Sequence, residues 1–428
     1  MSLRHDLGTL LRLPDFRRFF AIRLLCQSGD GMFQAALATL FFFSPQSQGT
    51  PASIALALVV LLSPFTVIGP FVGGFLDRWP RRTTMVVSDA IRVTLTLAII
   101  TIILTIGMNP AVYALALAAL SLNRFLLAAL GASLPRVVER DELLLANAIL
   151  PTIGAAATGL GAVTGLGVGL LFPEGQLRDA AMLGLAILLF TGSIIVTLGF
   201  PRSRLGPEPH DITTITVWTT LRELGAALRT VRHLRTPALA LGVMAAMRLA
   251  YGSIFVASIL MSRNLFGRGL ELFGQIIAIT AVGFAIAIVL TPIIVRRIGE
   301  GRWVMITMLT CAAAHILVVV HLSVLTMLIA SFFLGLGTQG AKIAIDTIIQ
   351  RETPDEYLGR TFTVYDMAFN LAFMGAGGLG ALFLPLTGVN TVFFTMLGLV
   401  YLALALTGRY GFVSRVVDVS PPARVTAT

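Results

Sequence analysis

The 428-residue chain is 56% hydrophobic and only 12% charged, about half the charged fraction of ordinary soluble domains. That balance excludes a mainly soluble protein and predicts a polytopic membrane one. Its formal net charge of +10 rests on arginine, Lys342 being the only lysine, and lies mostly in short connections between apolar runs, where it orients helices and meets membrane lipid rather than nucleic acid.

At the N-terminus, Arg4, Arg12, Arg17 and Arg18 are followed by no short apolar core with a small-residue cleavage site. The first long helix is therefore expected to direct insertion, with no removable signal peptide. A bilayer-crossing helix needs about 20 mostly apolar residues. Twelve such runs occur, at roughly 16–43, 52–76, 83–106, 110–134, 143–172, 178–198, 238–261, 272–295, 303–320, 323–349, 361–384 and 390–408. Arginine-bearing connections fall at 1–18, 77–82, 135–142, 199–237, 296–302, 350–360 and after 408. The alternate connections hold only Arg263 and Arg268, with Arg178 at an edge. An even count with both termini on the arginine side predicts cytoplasmic N- and C-termini. Cys26 and Cys311 sit inside apolar runs and give neither a disulfide framework nor a metal-ligand spacing.

The second and third runs are joined by Gly73-Gly74-Phe75-Leu76-Asp77-Arg78-Trp79-Pro80-Arg81-Arg82. Charges so dense cost several kcal/mol in hydrocarbon, so this turn belongs at a membrane surface, and arginine collects on the cytoplasmic one. The longest connection, Gly199 to Pro237, opens with a Pro/Arg/Gly-rich piece and continues with an amphipathic stretch, Val217 to Leu234. This predicts a short helix lying on the membrane face. The connection divides the chain into a six-helix bundle at 1–198, a linker at 199–237 and a second six-helix bundle with a tail at 238–428. The halves echo each other. Arg296 to Arg302 follows the eighth run as Asp77 to Arg82 follows the second, and Pro135 to Leu143 resembles Gln350 to Tyr357. Repeated halves place a transport pathway between them near mid-membrane.

The spacing Gly73-x-x-x-Asp77-Arg78-x-x-Arg81-Arg82 resembles the signature loop of the major facilitator superfamily, with Pro80 where the usual pattern has Gly. The resemblance implies an all-α membrane protein of twelve transmembrane helices in two pseudo-symmetric six-helix bundles. It implies a cytoplasmic gate in which Gly73, Asp77, Arg78, Arg81 and Arg82 help latch the halves, Asp366 at the start of the eleventh helix meeting Asp77. Asp15-Phe16-Arg17-Arg18-Phe19, Gln27 to Gly31, Asp89-x-x-Arg92, Ala146-Asn147-Ala148 and Arg351-Glu352-x-Pro354-Asp355 resemble the drug and siderophore exporter branch, of macrolide-efflux and enterobactin-exporter type. Asp89 and Arg92 join the gate on that reading.

Charges inside apolar helices each need a partner, water or a task. Asp30, between Gly29 and Gly31, lies near mid-membrane in the first helix and is the first candidate for a proton or cation site; the alternative is a fixed structural acid. Arg23 lies seven positions earlier on nearly the same face. Arg124 in the fourth helix is either a coupling residue, as the resemblance to drug/proton antiporters implies, or a buried partner for Asp30 or Asp89. Arg248 in the seventh helix is a candidate for an anionic group, and His315 in the ninth a candidate titratable group. Lys342 and Asp346 read as a self-compensating i,i+4 pair. Gly335-Leu336-Gly337-Thr338-Gln339-Gly340 matches G-x-G-x-x-G but lies inside an apolar helix, so it reads as close helix packing rather than a nucleotide loop.

These readings converge on a secondary transporter, not an enzyme, in a bacterial inner membrane. It works by alternating access and exports amphipathic or lipophilic small molecules in exchange for protons. No cofactor or metal is expected; the partners are a small-molecule substrate, protons and membrane lipids, with the chain a monomer. The alternatives are a transporter of a specific metabolite, lipid or siderophore, and a non-transporting receptor or scaffold.

Overall fold

The computed structural model describes residues 10–43, 49–64, 66, 79–169, 171–173, 175–206 and 217–412. Regular structure among them is helical throughout. In chain order the helices are α1 (Pro14–Ala38), α2 (Pro51–Ser63), α3 (Arg81–Thr105), α4 (Pro110–Ser133), α5 (Arg140–Gly169), α6 (Gln176–Leu198), α7 (Val217–His233), α8 (Arg235–Leu260), α9 (Gly269–Ile298), α10 (Glu300–Val320), α11 (Val324–Glu352), α12 (Asp355–Phe383) and α13 (Thr391–Gly411). Ten of the described helices are long and apolar enough to cross a membrane. The second expected span is represented by α2, its remainder lying outside the described residues. The linker helix forms as α7, with Ala227 and Val231 buried and Trp218 and Leu228 exposed.

Local sequence fixes many of the helix starts. At the end opposite the arginine-rich loops, Thr50 and Ser323 form capping boxes with Ser53 and Thr326. There too, the Asn109 and Asn390 side chains accept from the backbone N–H groups of Ala111 and Phe393. Pro51 and Pro110 at the first helical position add a preset φ where no N–H is required.

The described residues form two compact units. One takes those within Met1–Leu228, with Phe255–Leu270 and Phe362–Val389; the other takes Arg229–Ile254, Glu271–Thr361 and those within Asn390–Thr428. In the first, α1 packs against α5 and α6, and α3 against α4 and α6. In the second, α10 packs against α11 and α13. Lipid tails are as apolar as the side chains, so close packing at small residues, rather than hydrophobic burial, must hold such helices together. Gly31 of α1 faces the Thr158 carbonyl of α5, and Gly161 of α5 faces the Ser28 carbonyl of α1; a Cβ at either would overlap that backbone. Gly283 of α9 and Gly335 of α11 repeat the arrangement in the second unit, against the carbonyls of Phe332 and Thr280. Gly337 and Gly340 meet α10 at Cys311 and Trp303, so the G-x-G-x-x-G run is a helix-packing face.

Candidate functional site

Asp30 is the centre of a polar network inside the first unit. Gly29 leaves room for the Phe190 ring of α6, and Gly31 lets α5 close on the next residue, so α1 is gripped on both sides of the acid. The carboxylate is 3% exposed. Its Oδ1 accepts from Arg92 Nη2 of α3 at 2.8 Å. Its Oδ2 accepts from Asn123 Nδ2 of α4 at 2.9 Å and from Gln34 Nε2, one turn along α1, at 2.7 Å. Arg92, 0% exposed, also donates through Nη1 to Asp89 Oδ1 at 3.1 Å. Its guanidinium lies 3.8 Å from the centroid of the Phe190 ring. One cation therefore ties two acids from two helices, and an aromatic face covers it. A pair buried this deeply is strained by desolvation unless every lone pair is answered, and here three donors answer Asp30.

The sequence reading placed Asp89 and Arg92 with the signature loop; the structure sets Arg92 on Asp30 and Asp89 together. Asp30 is packed among α1, α3 and α4. Arg23 and Arg124 stand close by. Arg124 is within electrostatic reach of Asp30, Arg92 and Arg23. Arg23 is half-buried, its guanidinium laid over Gly154 of α5. Gln34 was not singled out from sequence, although its i,i+4 spacing from Asp30 is a signal that could have found it. Arg178 and Asp179 were missed too. Both are buried at the start of α6, where Asp179 Oδ1 accepts from Thr39 Oγ1 at 3.1 Å.

The second unit brings different chemistry to its middle. His315 is 2% exposed, with Nδ1 2.9 Å from the Cys311 carbonyl oxygen. That oxygen can only accept, so a neutral ring carries its proton on Nδ1. Nε2 is buried without a hydrogen-bond partner among the described residues. The ring lies 5.0 Å from that of Tyr401, whose hydroxyl donates to the Met247 carbonyl at 3.5 Å. Arg248, next to Met247, has its guanidinium carbon 5.6 Å from the Tyr251 ring centroid. Lys342 and Asp346 pair along α11 at 2.6 Å, half-buried, as their spacing predicts.

At the arginine-rich end, Gly73, Asp77 and Arg78 lie outside the described residues. Arg81 and Arg82 are described, and the hydrogen bonds found for them stay within the first unit. Arg81 Nη1 donates to the carbonyls of Ala132 and Leu205 at 2.8 and 3.3 Å, and Arg82 Nη2 to Leu198 at 3.0 Å. Ala132 and Leu198 are in the last turns of α4 and α6, so these arginines satisfy orphan carbonyls at negative helix ends. Asp366 lies in α12, where its carbonyl accepts from Asn370 Nδ2 at 2.9 Å. In the second unit, Arg351 Nη1 at the end of α11 pairs with Glu300 Oε1 at the start of α10, 2.8 Å apart, which joins two of the arginine-bearing connections.

The opposite end carries a feature no sequence pattern announced. α1 ends in a π-helical turn, Thr39–Phe43, and α8 ends in another, Met261–Leu265. The second reaches the first: Arg263 Nη1 donates to the Phe42 carbonyl at 2.8 Å. Asn264 Nδ2 donates to the carbonyls of Gly49 and Leu386, at 2.8 and 2.6 Å. These bonds join the ends of α1 and α8 to the approaches to α2 and α13.

Helices at membrane length, a buried charge network among α1, α3 and α4 and matched π turns at the ends of two helices six spans apart fit a membrane transporter, and the comparisons agree. The sequence matches the Major Facilitator Superfamily over residues 20–324 and 239–426. It is 32% identical, over 397 residues, to uncharacterized MFS-type transporters of Mycobacterium tuberculosis and Mycobacterium bovis, covering 91% of this chain and 90% of each relative. Its fold is similar to a bacterial homologue of the iron transporter ferroportin in the inward-facing state, with TM-score 0.62 and 18% identity over 93% of this chain and 97% of that one. It is also similar to the nucleoside transporter NupG, with TM-score 0.64 and 13% identity over 96% and 98%. The chain therefore belongs to the major facilitator superfamily: a non-enzymatic, multi-pass membrane transporter of all-helical fold.

Proposed function

We propose that the chain exports amphipathic or lipophilic small molecules by alternating access, in exchange for protons, from a bacterial inner membrane with both termini cytoplasmic. The two six-helix halves, joined by the linker at 199–237, would move against each other. Asp30 carries the exchange. The observation that supports this is its hydrogen-bond pattern: Arg92, Asn123 and Gln34 all donate to it. A proton arriving on Oδ2 meets only N–H groups as the partners stand, so the Asn123 or Gln34 amide must flip to offer its carbonyl oxygen. Protonation also removes the charge that Arg92 answers, which loosens α1 from α3 and α4. A substrate and a proton that compete for these groups would give antiport. Arg23 and Arg124 line the approach on this reading, and Asp77, Arg78, Arg81, Arg82, Asp89, Arg92 and Asp366 serve the cytoplasmic gate.

The test is accumulation of a panel of fluorescent lipophilic compounds in cells expressing the wild type or Asp30→Asn. Lower accumulation in the wild type, lost with the variant or a protonophore, is the expected result. Full gradient-driven export by Asp30→Asn would sink the proton role of Asp30.

A specific observation favours a second reading, transport of a metabolite, lipid or siderophore bearing an acid group. Arg23, Arg92 and Arg124 gather about Asp30 and Asp89, where an acidic substrate group would find basic partners. In the second unit, Arg248 would bind the anion. Export of acidic but not of neutral or cationic compounds by the same cells would select it.

A further inference from the structure

The first unit carries an apolar groove of about 550 Å³ on the faces of α3 and α4. It is lined by Trp79, Thr83, Val87, Ile91, Leu122 and Phe125. Thr83, Val87 and Ile91 are successive i,i+4 positions, so the groove follows α3 for roughly 12 Å along the direction of a lipid tail. Val87 and Ile91 are exposed by 45% and 42%. At the arginine-rich end it meets a second cavity, of about 620 Å³, with which it shares Pro80 and Thr83. The chemistry changes there: this cavity is lined by Arg82, Arg202 and Ser203. Arg82 gives one N–H to the Leu198 carbonyl, which leaves its other donors uncommitted to that bond. Arg204, next to Ser203, is paired with Asp15 at 2.7 Å. Trp79, 54% exposed, stands where the apolar and basic parts join, as tryptophan does at a membrane interface.

We infer that this continuous cleft is a binding site for an anionic phospholipid. The phosphate sits between the Arg82 and Arg202 guanidiniums within reach of the Ser203 hydroxyl, and one acyl chain lies along α3 in the groove. Charge complementarity selects the headgroup, because Arg82 and Arg202 line the cavity and no carboxylate is among its described lining residues. The apolar floor selects a lipid over a soluble phosphate. The inference does not depend on the substrate or on coupling.

The experiment is native mass spectrometry of the purified full-length protein with phosphatidylglycerol or phosphatidylcholine of identical acyl chains. Two arginine contacts near a surface predict roughly thirtyfold stronger retention of phosphatidylglycerol. Arg82→Gln/Arg202→Gln should abolish that preference. Val87→Trp, which fills the groove and leaves the charges, should weaken retention of both lipids. Millimolar inorganic phosphate should displace neither. Arg302→Gln, an exposed arginine of the other unit, should leave the preference intact and controls for general charge loss. Equal retention of the two lipids by the wild type, a preference that survives the double arginine variant, or displacement by free phosphate would overturn the site. No readout requires transport, so failure here is separable from failure of the exporter reading.

Discussion

The middles of the two units use similar helix packing to carry opposite kinds of chemistry. In each, two helices cross at paired glycines, Gly31 with Gly161 and Gly283 with Gly335. Around the first crossing lies a charge network in which Asp30, Arg92 and Asp89 answer one another at 2.8 and 3.1 Å. The second unit instead holds a histidine, two tyrosines and Arg248, joined by ring contacts and one long hydrogen bond. The lesson is that helix approach and helix chemistry are separable: small residues set the crossing, and the neighbouring positions are then free to be charged or aromatic.

That contrast can be broken, and the largest effect is expected at the first network. Asp30→Ala leaves Arg92 with one acid in a dry interior and should cost about 3–5 kcal/mol, seen as a lowered thermal unfolding midpoint in detergent. Arg92→Met/Asp30→Leu/Asp89→Leu, which removes all three charges, should recover most of that loss; no recovery would show that the hydrogen-bonded geometry, not charge balance, holds the bundle. Next come the crossings. Gly161→Ala and Gly335→Ala force a Cβ into a facing carbonyl, and each should cost about 1–3 kcal/mol by the same midpoint. A cost in one unit alone would end the parallel drawn between them. Smaller again is Tyr401→Phe, which gives up a hydrogen bond of 3.5 Å at the limit of useful length and should cost at most about 1 kcal/mol. Smallest is Arg351→Gln, which breaks a partly exposed pair with Glu300; the change should stay under about 1 kcal/mol and shrink in high salt.

Much of the scaffold was legible because its signals are local. Uninterrupted apolar runs and the amphipathic pattern of α7 each depend on neighbours in sequence. The i,i+4 pair of Lys342 and Asp346 is of the same kind. Asp30 stood out because an acid in such a run must be answered. What answers it was not legible: Arg92 is 62 positions away and Asn123 is 93, and only the packing of α3 and α4 beside α1 selects them. The loop arginines were legible as charges, but their capping of α4 and α6 depends on where those helices end. The π turns were invisible, since nothing in Thr39–Phe43 or Met261–Leu265 breaks a helical pattern.

Those π turns bear on how such a contact can evolve. Arg263 and Asn264 reach three segments through bonds to the main-chain carbonyls of Phe42, Gly49 and Leu386. A carbonyl survives any substitution of the residue that bears it. These contacts therefore depend on two side chains, while the segments that supply the three carbonyls stay free to drift in sequence.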